Sequence, residues 1–483
     1  MPNGRMIGGI VGLIACIGVG VGIGIGNDLA FNRYSAVISH HLAPNGEGDS
    51  ESAQAARNMG NQLAREIERE GIVLLKNEDE TLPLKQSVRQ VNVFGHGSVD
   101  WYYMSSGSER VGMDGQTSYN FNEALEHYGI QVNPELPKYY LKWHKAEGDS
   151  NTIMAQFDSF YQVREPGLEN NSEYQTIYNE AVEYSDTAFM VISRHAGENS
   201  DCPHYQTKCE GQPTDNTRTY LQISTEEEYT LKQLVKDFDN VVVIINSTNA
   251  MQLDFLEEID GIDACISVGA TGVQGALSIP EILWGLDHDG NEVSPSGHLT
   301  DTYPYKHEYN ITYYRGNAKF TRQYTGAPSN CTTMGAGGNA FYRTSCYVEY
   351  NEGIYVGYRW FETADAEHYW DDPQYGGYDN VVQFPFGFGM SYTNFEWTLE
   401  GTSLEEGSEI TNLDQITLTI GVENKGDKPG KDVIEIYLAA PYYEGGIEKS
   451  AVKLVAYAKT PELKPGQKEN VEVLVETKRI QIL

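Results

Sequence analysis

Basic residues are scarce in this sequence: 34 Lys+Arg stand against 69 Asp+Glu, a net charge of −35 over 483 residues. Such a balance repels phosphate backbones and anionic headgroups, so nucleic acid is excluded as an expected partner. Cysteine is scarcer still, with six in the chain. No two of them form a C-x-x-C pair and no H-x-x-x-H lies near them, so the usual spacing of metal ligands is missing. No G-x-S-x-G elbow and no P-loop occurs, which removes two standard signals for nucleophilic and phosphoryl chemistry. Gly95-His96-Gly97 opens a dinucleotide-type run, but Asp100 stands where its last glycine belongs. No internal repeat with a period of roughly 20–50 residues is visible. Disorder is not expected either: 40% of residues are hydrophobic, and 33 are Tyr. The length allows two to four domains at roughly 100–200 residues each.

Long uncharged apolar runs are also few, and the clearest is at the amino end. Met6–Gly26 carries no charge, with Arg5 before it and Asp28 after it. It is about as long as a helix needs to span a hydrocarbon core. The basic residue ahead of it orients that end toward the cytoplasm and the remainder outside. Gly8 and Gly12, Gly18 and Gly22, and Gly22 and Gly26 sit four apart, a spacing that lets membrane helices approach closely. Residues 1–30 therefore read as a membrane anchor, with a cleaved secretory signal as the alternative. Residues 31–60 read as linker. An outside location suits Cys202 with Cys209 and Cys331 with Cys346, each pair able to close a short loop as a disulfide. Cys265, within an apolar run, reads as a buried thiol.

Downstream, strand-like apolar runs alternate with helix-like ones. Ala53–Glu70 has helical composition and runs into the apolar stretch Gly71–Lys76. Val91–Gly95, Ile130–Val132, Ala188–Ser193, Val241–Asn246 and Ala264–Val268 read as strands. Asn120–Tyr128, Thr225–Phe238, Met251–Glu258 and Gly275–Gly285 read as helices. This alternation predicts a parallel-sheet α/β sandwich over 61–305. Residues 306–400 lose it and read as a decorated connection rich in Tyr, Gly and Asn. From 401 to 483 the apolar–polar alternation of Ile416–Val422, Asp432–Leu438, Val452–Lys459 and Asn470–Glu476 predicts a small antiparallel β-sandwich.

One place stands out for chemistry. The strand Ala188–Ser193 delivers Arg194, His195, Gly197, Glu198 and Asp201 at its carboxyl end, where open α/β sheets bind ligands. Glu198 on that loop is a candidate acid, with Asp201, His195 and His204 near it in sequence to tune it. The aromatic runs Tyr355–Phe361 and Trp370–Tyr378 suit stacking on sugar faces, or packing between domains.

Several stretches together resemble glycoside hydrolase family 3, the β-glucosidase and β-xylosidase family. Glu70–Glu78 with Leu82-Pro83-Leu84 is similar to the entry of its α/β-sandwich domain, and Ser296–Thr302 to the exit. Tyr350–Phe361 and Phe384–Tyr392 resemble the segment leading to its fibronectin-III-like domain. That domain is itself matched by Val422–Gly426, Gly430–Val433, Tyr437, Pro441 and Leu463–Gly466. The resemblance implies retaining glycosidase chemistry with two carboxylates. It implies that Glu198, in Ala196-Gly-Glu-Asn-Ser-Asp201, is the general acid/base, with Asn199 where the family usually has Gly. Ser105–Glu109 departs from the family's glycine-rich loop. No metal or organic cofactor is required by this chemistry.

The family's nucleophile is an Asp on a (β/α)8 barrel, which takes about 250 residues. Ser98-Val99-Asp100-Trp101 is not that motif, because it follows the first strand of the α/β unit. The resemblance thus implies the acid/base-bearing portion of a domain-permuted exo-β-glycosidase, acting on terminal sugars of β-linked oligosaccharides or glycosides. Its barrel is then expected on a second chain or a missing segment, and the chain alone is expected to be inactive. The alternative is a non-catalytic surface module that binds carbohydrate or a partner protein.

Overall fold

A computed structural model describes residues 51–104, 117–146, 163–196, 202, 205–206, 215–310, 322–323, 346–347, 352–405, 407 and 415–480. Helix α1 (Glu51–Gly71) leads directly into strand β1 (Val73–Asn77), followed by β2 (Gln90–Phe94), α2 (Phe121–His127) and β3 (Gln131–Val132). Next come α3 (Glu135–Ala146), α4 (Ser172–Tyr184), β4 (Thr187–Arg194), and the short hairpin of β5 (Tyr205–Gln206) and β6 (Asp215–Thr219). Helix α5 (Thr225–Asp237), β7 (Asn240–Ser247), α6 (Phe255–Glu258), β8 (Ala264–Ser267) and α7 (Ile279–Trp284) complete this part.

Capping explains where the helices start. Asn120 accepts the Glu123 N–H at 3.0 Å while Glu123 reaches back to the Asn120 N–H at 2.9 Å. Ser224 and Glu227 form the same reciprocal box at the start of α5, at 3.1 and 2.7 Å. The stretch Met251–Glu258 is helical only over α6, and Gly275–Gly285 divides into a 3-10 turn, Gly275–Ser278, followed by α7. Helices α3 and α4 were not foreseen in the sequence.

The six strands order as β1-β8-β7-β4-β2-β3. Five run parallel, as the alternation predicts, but β1 pairs antiparallel with β8, Val73 opposite Ser267 and Asn77 opposite Ala264. The wholly parallel sheet is thereby corrected to a mixed one. The physical reason is connectivity: β1 reaches its neighbour from the end of α1 at the sheet edge, without the crossover that would make it parallel. Both faces are covered. Val241, Val243 and Ile245 join one core with Met190, Ile192, Tyr174 and Leu231, while Val242 and Ile244 join the other with Val191, Phe121, Ile282 and Trp284. Each such fully buried aliphatic contributes about 1.5–3 kcal/mol of transfer energy.

Strand β9 (Tyr303–Pro304) pairs with β12 (Val382–Phe384), and two further short strands, β10 (Arg322–Gln323) and β11 (Cys346–Tyr347), pair with each other. Helix α8 (Tyr358–Ala366) and the following turn gather Phe361, Trp370, Val381 and Val382 into a small core, with Trp360, Tyr375 and Tyr378 against it. Those aromatics pack on one another here: the Trp370 ring lies 5.0 Å from that of Tyr375 and 5.7 Å from that of Trp360.

The last part has two sheets, β13 (Phe395–Thr402) with β14 (Gln415–Asn424) and β17 (Lys468–Glu476), and β15 (Val433–Leu438) with β16 (Lys453–Lys459). All their pairings are antiparallel, and Ile416, Ile420, Val422, Ile434, Val455, Val473 and Val475 fill the space between the sheets. Strand β13 starts ahead of residue 401, and its mostly exposed side chains explain why its pattern was not legible. Among the described residues no helix is long and apolar enough to cross a membrane, and Met6–Gly26 lies outside them.

Candidate active site

Numbered along the chain, the parallel strands lie in the order 2-1-3-4-5, with β2 and β4 adjacent and their onward connections leaving in opposite directions. That reversal opens a crevice at the carboxyl ends of β2 and β4, the place where doubly wound sheets take ligands. Both strands end in conformations their residues dictate. Gly95 has φ +92°, and a Cβ there would stand 2.2 Å from the Val191 carbonyl oxygen. Only glycine lets β2 turn across β4 so closely. A Cβ on Gly97 would likewise meet Ser193 Oγ at 2.7 Å.

The turn after β2 is held by a buried acid. Glu165 Oε2 accepts the His96 N–H at 2.7 Å, and Tyr140 donates to Oε1 at 3.2 Å. The Tyr140 hydroxyl also accepts the Gly95 N–H at 2.8 Å and meets that of Tyr174 at 2.5 Å. Burial pushes the Glu165 carboxyl up to about 8, although the His96 N–H works the other way.

The end of β4 is held by a buried ion pair. Arg194 is 1% exposed and grips Glu227 with two N–H···O bonds, at 2.9 and 2.6 Å. Its remaining donors reach the carbonyls of Tyr220 at 2.8 Å, Gln222 at 2.7 Å and Ser193 at 2.9 Å. Burial by itself would lower the guanidinium's pKa; the neighbouring Glu227 more than offsets that and raises it. Asn246, at the end of β7, ties three strand ends together. Its Oδ1 accepts from the Tyr102 N–H at 2.7 Å and Ser193 Oγ at 2.9 Å, and its Nδ2 donates to Gly269 O at 2.7 Å.

The chain beyond β4 is then guided outward. His195 exchanges hydrogen bonds with the Tyr220 hydroxyl, its N–H donating at 2.9 Å and its carbonyl accepting at 2.9 Å. Its ring lies 4.9 Å from that of Tyr102, with Nε2 3.1 Å from the Asp100 carbonyl. Tyr102 donates to the Ala196 carbonyl at 2.7 Å. Ala196 is thus pinned at the crevice, two positions before Glu198. His96, Asp100, Glu165, Arg194 and His195 surround a cavity of about 20 Å³, enough for one water.

Glu198, Asp201 and His204 lie outside the described residues, as do Ser105–Glu109, Cys209 and Cys331. Cys202 is half-buried, Cys346 is in β11, and Cys265 is fully buried, its thiol pushed well up by burial. Asp100 follows β2, and Trp101 is buried, donating to Thr271 Oγ1 at 2.9 Å. Sequence reasoning missed Glu165, Asn246 and Glu227. Glu227 had a usable signal, the Ser-x-x-Glu start of α5, and Asn246 a weaker one, a polar residue closing an apolar run. Glu165 had none, since its partners come from segments distant in sequence.

Comparison with known proteins agrees with this architecture. The β-glucosidase A of Butyrivibrio fibrisolvens is 28% identical over 434 residues, covering 85% of this chain and 45% of that protein. A β-glucosidase of Ruminococcus albus is 28% identical over 415 residues, covering 86% of this chain and 36% of its own length. The crystal structure of a β-glucosidase from Paenibacillus barengoltzii superposes with a TM-score of 0.65 at 28% identity, over 87% of this chain and 38% of that one. Thermotoga neapolitana β-glucosidase 3B in complex with glucose shares the fold, with a TM-score of 0.63 at 23% identity over 88% of this chain and 50% of that one. The chain spans less than half the length of the two curated relatives. The model of the glycosyl hydrolase family 3 C-terminal domain matches residues 72–358, and the chain belongs to glycosyl hydrolase family 3.

Proposed function

We propose that this chain is the acid/base-bearing portion of a retaining exo-β-glycosidase of β-glucosidase type, with Glu198 as the general acid/base. The observation that supports it best is the end of β4. The strand closes at the sheet's crevice, Arg194 and Tyr102 fix its last residues, and Glu198 follows Ala196 by two positions. Proton transfer requires the acid within hydrogen-bond distance of the departing oxygen, and in this reading Glu198 meets that demand from two positions beyond a fixed strand end.

In this reading a carboxylate on a (β/α)8 barrel attacks the anomeric carbon of a terminal sugar while Glu198 gives its proton to the departing glycosidic oxygen. Glu198 then takes a proton from water, which releases the sugar with its configuration retained. Neither step calls for a metal or organic cofactor. The barrel is supplied by a second chain or by a segment not included in these residues. Met6–Gly26 serves as the membrane anchor and the remainder lies on the outer face, where Cys202–Cys209 and Cys331–Cys346 close as disulfides.

Turnover of aryl and alkyl β-glucosides tests the assignment. The chain by itself should show none, because an acid without a nucleophile cannot form the glycosyl intermediate. Combined with a barrel partner, Glu198→Gln should lose most turnover on substrates with poor leaving groups and less on activated aryl glycosides. A Glu198→Gln enzyme with unchanged rates on both substrates would remove Glu198 from the role.

A further inference from the structure

The motif Gly430–Val433, which leads into β15, takes no part in the crevice, yet its Lys431 and Asp432 line a cleft elsewhere. That cleft lies where the α/β unit meets the last two sheets and has a volume of about 360 Å³, within the roughly 300–1,000 Å³ of small-molecule sites. Phe395 and Trp397, two apart on β13, line it together with Asp432 and His298. Asn394 and Ser391 also line it.

The indole and the acid are fixed to each other. Trp397 Nε1 donates to Asp432 Oδ2 at 2.7 Å, and Oδ1 accepts the Val433 N–H at 3.0 Å. His298 is held by its Nδ1 contact to the Gly387 carbonyl at 2.6 Å, which leaves Nε2 3.8 Å from Asp432 Oδ1. Trp397 nevertheless keeps 47% of its surface exposed, far more than a core tryptophan, while the Asp432 side chain keeps 15%. An ionised carboxylate has about four acceptor positions, so two remain for a ligand's hydroxyls. Ser391 lines the cleft with its Oγ buried. Backbone packs closely at Gly389, where a Cβ would stand 2.2 Å from the Gly297 carbonyl oxygen. Lys431, also on the lining, is paired with Glu70.

An open aromatic ring, a carboxylate beside it and an amide side chain nearby together select a ring bearing several hydroxyls. We propose that this cleft is a second, non-catalytic sugar-binding site, which stacks one pyranose on Trp397 and takes vicinal hydroxyls on Asp432. The site holds glycan near the molecule independently of Glu198, so it goes beyond the catalytic reading and does not rest on it.

Calorimetric titration of the full chain with cellobiose tests this. Saturable binding is expected with a dissociation constant on the order of 1 mM, ordinary for a ligand of this size. Trp397→Ala should weaken it about tenfold or more, Trp397→Phe should keep part of it, and Glu198→Gln should leave it unchanged. Absence of saturable binding, or full binding in Trp397→Ala, overturns the proposal. So does binding lost in Glu198→Gln but kept in Trp397→Ala, which puts the sugar at the crevice. Circular dichroism monitors folding. If Trp397→Ala unfolds, Asn394→Ala decides in its place: severalfold weaker binding supports the cleft and unchanged binding overturns it.

Discussion

Arg194 with Glu227 and Glu70 with its two lysines are both charge clusters that join distant parts of the chain, but they do so under different dielectric conditions. At the crevice the partners' side chains are 1% and 5% exposed, and the guanidinium spends its other donors on three backbone carbonyls. At the junction of α1 with the last two sheets, Glu70 faces Lys431 and Lys459 with side chains 24%, 30% and 28% exposed. Water screens the second cluster and not the first. The difference teaches that the crevice cluster is a fixed scaffold for the end of β4, whereas the junction cluster is a modest tie between two packed bodies. The titrations follow suit. Burial drives Glu165, beside the crevice, up to about 8, while at Glu70 two lysines outweigh burial and hold the carboxyl below its usual value.

The largest effect is expected where burial is deepest. Glu227→Gln leaves Arg194 buried without its counter-charge and should lower stability by about 3–5 kcal/mol in urea denaturation. Replacing both partners, as Arg194→Met with Glu227→Leu, should cost clearly less than the sum of the single changes. Additive losses would mean that the two residues do not act as a pair.

Glu165 should give an intermediate effect that depends on pH. Its folded pKa of about 8 lies above the ordinary 4.5, so between those values the folded state binds more protons than the unfolded one. The contribution is fully present below about pH 4.5 and is lost as pH rises through about 8. Glu165→Gln, a mimic of the protonated acid, should flatten the fall in stability over that window and be relatively most favourable at its upper end. Glu68, also raised to about 8 by burial, leaves a residual slope. Thermal melts from pH 4 to 9 check this, and an unchanged profile would place Glu165's titration elsewhere.

The smallest effect belongs to the junction. Glu70→Gln should cost no more than about 1 kcal/mol, and the loss should shrink in high salt. A cost matching that of Glu227→Gln would erase the contrast between the two clusters.

Much of the fold was legible because both signals are local. Val241–Asn246 reads as a doubly covered strand from its unbroken β-branched run, and α5 starts where Ser224 and Glu227 close their box. Helices α3 and α4 were missed because their buried faces are made by Tyr139, Tyr140, Tyr174 and Tyr178, which do not register as an apolar stripe. At the site, the carboxyl end of β4 was legible from strand order in sequence alone. Glu165 was not, since only folding brings it under the His96 turn.

The sequence by itself determined the alternation of strands and helices, the late antiparallel sheets, the family and the acid Glu198 as the residue to test, since these rest on local periodicity and contiguous motifs. The tertiary structure alone decided that β1 runs antiparallel, that the switch in strand order falls between β2 and β4, and that Arg194 is neutralised by Glu227. It also decided that Trp397 and Asp432 share a cleft. Those are pairings between residues far apart in the chain, fixed by which surfaces exclude water together, and no local pattern encodes them.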